Sequence, residues 1–210
     1  MGRPAVSPAA QVTTWTLPRV LVADDRAPYE RMDGMPTGAF LRDLDVEALI
    51  TRAASLDVPW AVDLDTIRGL KADESAASFA VERLGARAVV SRRPAVARTA
   101  TALGAVGLIA VQAFDSTGLR RIAAARPAPD GAGSILSPGL VIPRLRVDEL
   151  AILPRPLVGH GLIVHPADAL ACLERADAIV VRRDAARYLA MSLRRPHWSR
   201  RPLTTIRIEE

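Results

Sequence analysis

The sequence predicts an α/β protein, a small (βα)8 barrel of the TIM type in a single domain, on three observations. Eight short β-branched runs alternate with Ala- and Leu-rich stretches. The runs are continuously apolar, as strands of a parallel sheet covered on its faces must be, while the stretches between them carry apolar residues three and four apart, as in Ala76, Ala80 and Leu84. The βα units recur at roughly twenty to twenty-eight residues, which suits a barrel near the lower size limit of that fold. A chain of 210 residues that is 50% hydrophobic can bury one sizeable core. A doubly wound open sheet is the other arrangement these elements could take.

Taken in order, the strands are expected at 19–23, 38–42, 60–64, 87–91, 107–112, 133–136, 156–159 and 177–181. Helices are expected at 46–55, 74–84, 95–103, 116–125, 142–150, 166–175 and 185–193. The first crossover, 24–37, carries Gly34, Pro36 and two methionines and is the weakest unit. The third unit has the clearest punctuation. A strand ends in Asp63 and Asp65, Gly69 makes a turn, and Asp73 caps the next helix with Glu74 in its first turn, where carboxylates satisfy free amides and suit the helix dipole. Pro94 marks another helix start, beside which Ser91 could cap. Residues 1–17 and 194–210 read as tails around a barrel domain at 18–193, although Trp15 and Trp198 could each dock on it.

Composition bounds the partners. Cys172 is the single cysteine, so an intrachain disulfide is impossible and a reducing cytoplasm fits. Residues 1–17 lack the apolar core of a signal peptide, and the longest apolar run, 99–114, is interrupted by Gly104, Gly107 and Gln112, so no membrane span is expected. The net charge of +5 with a pI near 10.5 permits a polyanionic partner. Lys71 is the only lysine, so the basicity is nearly all arginine, a bidentate phosphate ligand that genome-wide compositional bias also enriches.

In barrels the C-terminal ends of the strands carry the site. Asp63 and Asp65, two apart on a strand, would point to one face and could serve as acid/base pair, hard-cation ligands or solvated caps. The loop after strand seven, Gly159-His160-Gly161, lies where barrels often bind phosphate, with Arg182 and Arg183 after strand eight to add charge-assisted bonds. Ser91, Gln112 and Gly139 stand at the ends of strands four, five and six. No His/Cys/Asp cluster has metal-site spacing, and no metal or cofactor is expected. In the C-terminal tail Arg194, Arg195, Arg200 and Arg201 bracket Trp198, a set that can combine phosphate contacts with base stacking.

Several ordered stretches together resemble the glycerol-3-phosphate-responsive transcription antiterminators: VDLDTIRGLKADE at 62–74, VVSRR at 89–93, VQ at 111–112, DS at 115–116, LSPG at 136–139 with VIP at 141–143, and GHGLI at 159–163. The resemblance covers roughly 19–192. It implies a TIM-like barrel that senses glycerol 3-phosphate and acts on leader mRNA to suppress termination of glycerol-catabolic transcripts, with an oligomer possible. The chain departs from the family's pattern at Asp63, where a histidine is usual, at Arg68 for an acid, at His160 for the first of two glycines, at Ala113 for an arginine, and at Arg182-Arg183 for small hydroxyl residues. On this reading the ligand set is Asp63, Asp65, Ser91, Gln112, Gly139, His160, Gly161, Arg182 and Arg183, and the protein is a regulator rather than an enzyme. The other class that fits the residues is a small barrel enzyme on a phosphorylated polyol, of phosphodiesterase or isomerase type.

Overall fold

The computed structural model describes residues 15–24, 29, 32, 34–113 and 131–193. Eight parallel strands pair in sequence order and close on themselves: β1 (Val20–Asp24), β2 (Thr37–Leu41), β3 (Trp60–Asp63), β4 (Ala88–Ser91), β5 (Val106–Gln112), β6 (Gly133–Ser137), β7 (Leu157–His160) and β8 (Ala178–Val181). Closure is the pairing of β1 with β8, Val20 opposite Ile179 and Val22 opposite Val181. The fold is a (βα)8 barrel, and the open-sheet arrangement is excluded.

Strand alternation sorts the apolar residues into two environments. Leu21, Phe40, Ala61, Ala88, Val90, Val106, Leu108, Ile135, Val158, Ala178 and Val180 point inward and fill the lumen, joined at its N-terminal side by Leu17 and partly by Trp15. Their neighbours face outward under the helices. Ala39, Leu41, Trp60, Val62 and Val89 pack against α1 (Val46–Ser55), α2 (Glu74–Ser78) and α3 (Pro94–Ala102). Val20, Val22, Leu136, Leu157, Ile179 and Val181 pack with α5 (Pro166–Leu173) and α6 (Arg183–Leu193).

The helix starts obey local chemistry. Asp73 accepts from Ala76 N at 3.1 Å and Asp45 from Ala48 N at 2.8 Å, so the expected cap at Asp73 is present. Ser91 is not a cap of α3; Arg93 occupies that position, followed by Pro94 in the first turn. The stretch expected to be one helix at 142–150 is instead a 3-10 turn, Gly139–Arg144, and a short helix α4 (Val147–Ala151). Pro143 lacks an amide hydrogen to continue the first piece, and Arg146 restarts the chain by donating its backbone N–H to Glu149 at 2.8 Å. The helix expected at 74–84 is α-helical only to Ser78 and continues through a π-turn, Phe79–Arg83, closed by Leu84 N to Phe79 O. In the weak first crossover no helix occurs among the described residues; Met32 and Met35 are buried there and Tyr29 Oη bonds to Thr37 O at 3.2 Å. The helix expected at 116–125 lies outside the described residues.

Among the glycines that packing requires, Gly107 is the most tightly enclosed. A Cβ on Gly107 of β5 would lie 2.0 Å from Ala97 O and 2.7 Å from Thr101 Oγ1, both on α3. Helix and strand can touch there only because no side chain intervenes. Gly107→Ala is expected to lower stability by about 3 kcal/mol through overpacking. Gly85→Ala meets nothing within 4 Å but keeps a φ of +81°, and should cost only about 1 kcal/mol. Denaturant midpoints of the two variants test the ordering, and equal midpoints would contradict it.

Candidate functional site

The parity that packs the lumen also builds its open end. Continuing the inward series one step past the apolar layer reaches Arg42 after β2, Asp63 on β3, Arg92 after β4, Gln112 on β5, Ser137 on β6 and His160 on β7. All six line one cavity of about 210 Å³ at the C-terminal mouth, together with Asp65 and Thr66, over a floor of Val90, Ala110, Val111 and Ile135. That volume suits a ligand smaller than a drug-sized molecule.

Asp63 and Asp65 reach the cavity differently from the strand alternation expected of them. β3 ends at Asp63, and Leu64–Thr66 form a 3-10 turn, so a turn rather than strand pleating brings the second acid round. Asp63 caps this turn, its carboxylate accepting from Asp65 N at 3.2 Å while its carbonyl accepts from Thr66 Oγ1 at 2.9 Å. Asp65 is tied to β4: Ser91 Oγ donates to it at 3.0 Å, Arg92 N at 2.6 Å and Arg92 Nε at 3.3 Å. With its side chain only 10% exposed, Asp65 locks the β3 turn to the end of β4. Ser91 is fully buried and takes no part in the lining; besides serving Asp65 it accepts from Arg93 N at 3.1 Å.

Across the mouth, Arg42 Nη1 donates to His160 Nε2 at 2.6 Å while Arg42 Nε pairs with Asp43 at 2.7 Å. An arginine cannot accept, so this contact assigns the neutral imidazole with its proton on Nδ1. Burial, with the Arg42 charge adding to it, pushes the His160 pKa down to about 4, and the ring rests against Phe40 with centroids 5.6 Å apart. Burial also pushes Asp63 up to about 6, opposed by Arg42 and reinforced by Asp65. The cavity thus presents two guanidiniums, two unlike carboxyl groups and a neutral imidazole.

The remaining residues expected at the site lie around this cavity. Gly139 and Gly161 make the seam between the β6 and β7 loops: Gly139 N donates to Gly161 O at 3.1 Å, and a Cβ on Gly139 would lie 2.6 Å from His160 N. Gly161 has φ +84° and packs beside Ser137, so its glycine character serves the turn. Arg182 is exposed and Arg183 opens α6, and neither lines the cavity. The cations that face it are Arg42 and Arg92, which sequence reading passed over as a strand end and a helix start. Inward parity at a strand end was a signal for them, but an insufficient one, since Arg182 shares it, two past the inward Val180, and does not line the cavity. Arg194, Arg195, Trp198, Arg200 and Arg201 lie outside the described residues. Among the described residues no cluster of His, Cys, Asp and Glu could hold a metal ion, and no helix is long and apolar enough to cross a membrane.

Comparison with known proteins places the chain in a family. The chain is similar over 77% of its length to a glycerol uptake operon antiterminator regulatory protein from Listeria monocytogenes, with 17% identity, 90% of that chain covered and a TM-score of 0.63. It is similar over 83% of its length to a glycerol uptake operon antiterminator-related protein from Thermotoga maritima, with 23% identity, 99% of that chain covered and a TM-score of 0.63. A deoxyribose phosphate aldolase from Aeropyrum pernix shares the fold at 19% identity and a TM-score of 0.55, covering 84% of this chain and 90% of its own. No curated protein matches the chain. The family model described as glycerol-3-phosphate responsive antiterminator matches residues 40–184, a span that contains every residue lining the cavity, and the chain belongs to that family.

Proposed function

We propose that this protein is a glycerol-3-phosphate-responsive regulator that binds leader mRNA and prevents termination of glycerol-catabolic transcripts, holding its effector in the barrel mouth. The observation that carries the effector reading is the pair Arg42 and Arg92 facing one small cavity with an apolar floor. A guanidinium presents a rigid fork of donors that matches phosphate, and its charge is expressed more strongly where water is partly excluded, as at Arg42, whose side chain is 24% exposed. Asp63, Gln112 and Ser137 offer partners for the hydroxyls of a polyol in the same space. Asp65 has its oxygens engaged by β4 and positions Arg92 rather than meeting the ligand first. RNA affinity is drawn from the arginine-rich C-terminal tail, and the effector acts by favouring one of two conformations rather than by chemistry.

A second reading has its own observation: Asp63 near 6 and a neutral His160 share a cavity, as a proton-transferring pair in an isomerase would. Conversion of a phosphorylated polyol by the purified protein would favour that class over the regulator.

Glycerol 3-phosphate is expected to raise the melting temperature, with a stabilisation of about 2.7 kcal/mol at a hundredfold excess over Kd, more than glycerol or inorganic phosphate does. Arg42→Ala should abolish the shift, whereas Arg182→Ala should keep it. A folded protein that no phosphorylated polyol stabilises would remove the effector reading.

Gel-shift titration of a glycerol-operon leader at two salt concentrations measures the RNA arm. Affinity should fall steeply with salt, and replacing Arg200 and Arg201 by alanine should make the slope shallower by about two. Equal affinity for leader and scrambled RNA, unchanged by glycerol 3-phosphate, would exclude the antiterminator mechanism for this chain.

A further inference from the structure

We propose that Asp63 determines the form in which the cavity accepts its ligand: Asp63 takes up a proton from solvent as a phosphate monoester binds, and donates that proton in a hydrogen bond to a ligand oxygen. The proposal rests on the effector reading above and assigns a specificity role to a residue outside the cationic pair.

The argument begins with the charge of the cavity. Its lining holds Arg42 and Arg92, two positive charges, and Asp63 and Asp65, two negative ones, so with both acids ionised and His160 neutral the formal sum is zero. A doubly charged phosphate entering a space of about 210 Å³ must then approach at least one carboxylate closely. Like charges at such distances cannot both persist without a large penalty, and the cheapest relief is protonation of one partner.

Hydrogen bonding decides which acid yields. Asp65 accepts from Ser91 Oγ, Arg92 N and Arg92 Nε, three donors at the end of β4 that already occupy its oxygens. Asp63 has a single backbone donor, Asp65 N, at 3.2 Å. The groups facing it from the packed elements are Arg42 and Asp43 from the end of β2, Asp65 from its own turn, Arg92 from the end of β4 and His160 from β7. Arg42, the cation acting on Asp63, is itself shared with Asp43 and His160. Burial holds Asp63 up to about 6 before any ligand arrives, so a proton is available at modest cost near neutral pH. A neutral carboxyl also has a hydrogen to donate, which an ionised one lacks. The site then selects a ligand with an acceptor oxygen placed over β3, and selects it more strongly as pH falls.

The test compares the affinity of glycerol 3-phosphate for the wild-type protein and Asp63→Asn at pH 6 and pH 8, by calorimetry. The amide copies the neutral acid, retains an oxygen to accept from Asp65 N, and cannot titrate. The ligand's own ionisation and that of every other residue are common to both proteins, so the ratio of the two affinities isolates Asp63. Binding that requires the protonated acid weakens roughly fiftyfold from pH 6 to pH 8 for a group with this pKa, and the ratio should move by that factor in favour of the variant. Wild type should also take up roughly one proton per ligand at pH 7, read from buffers of different ionisation enthalpy, and Asp63→Asn correspondingly fewer. An identical ratio at both pH values overturns the proposal and leaves the effector reading standing. Absence of binding by either folded protein at either pH removes both.

Discussion

Closing eight parallel strands into a ring leaves a lumen that only side chains can fill, and the architecture follows from that constraint. The β1–β8 pairing turns period-two alternation into a radial instruction, one residue to the lumen and the next to the helices. Leu21, Phe40, Val90, Leu108, Ile135, Val158 and Val180 occupy the lumen, with Ala61, Ala88 and Ala178 leaving room for the larger side chains. Above them the strands end and water can enter, so the next inward positions hold Arg42, Asp63, Arg92, Gln112, Ser137 and His160. The site is the top layer of the same packing scheme, and its residues point at one another because the layer beneath them is full.

Two of the strand ends are braced by polar contacts rather than by burial. Asp65 holds the β3 turn against Ser91 and Arg92, and Arg42 spans to His160 from the opposite side of the ring. These braces distinguish the acids by geometry: Asp65 accepts from three donors at the end of β4, and Asp63 from the single backbone donor Asp65 N. The chemical individuality of Asp63 comes first from its burial, with Arg42 and Asp65 acting in opposite directions.

Much of the arginine content is spent on the scaffold. Arg19 donates to Ala176 O, Asp177 O and Leu173 O, carrying β1 to the turn that follows α5. Arg175 donates to Ile142 O, Pro143 O and Leu145 O, stitching the 3-10 turn after β6 in place. Arg155 pairs with Asp177 at 2.8 Å, whose carboxylate also accepts from Leu157 N. A guanidinium carries five donors in a fork and can gather carbonyls left over at helix and turn ends. The net charge of +5 is therefore an incomplete guide to nucleic-acid contacts in this chain, since these cations serve backbone oxygens.

The sequence by itself determined the strand sites, most helices, the cap at Asp73 and the rim position of Asp63, Asp65, Gln112 and His160, because those follow from periodicity and from chemistry between residues a few positions apart. It also held the inward parity of Arg42 and Arg92, which Arg182 shares without lining the cavity. Tertiary structure decided which rim residues meet. Arg42 and His160 are 118 positions apart and Asp65 and Ser91 are 26 apart, and only ring closure sets those distances. It also separated Arg182 and Arg183 from the cavity lining, and replaced a continuous helix at 142–150 by a 3-10 turn that contains Pro143 and a short helix that starts after Arg146. The ionisation of Asp63 and His160 belongs to the same class, since burial is the largest cause of both shifts and burial exists only after the barrel has closed.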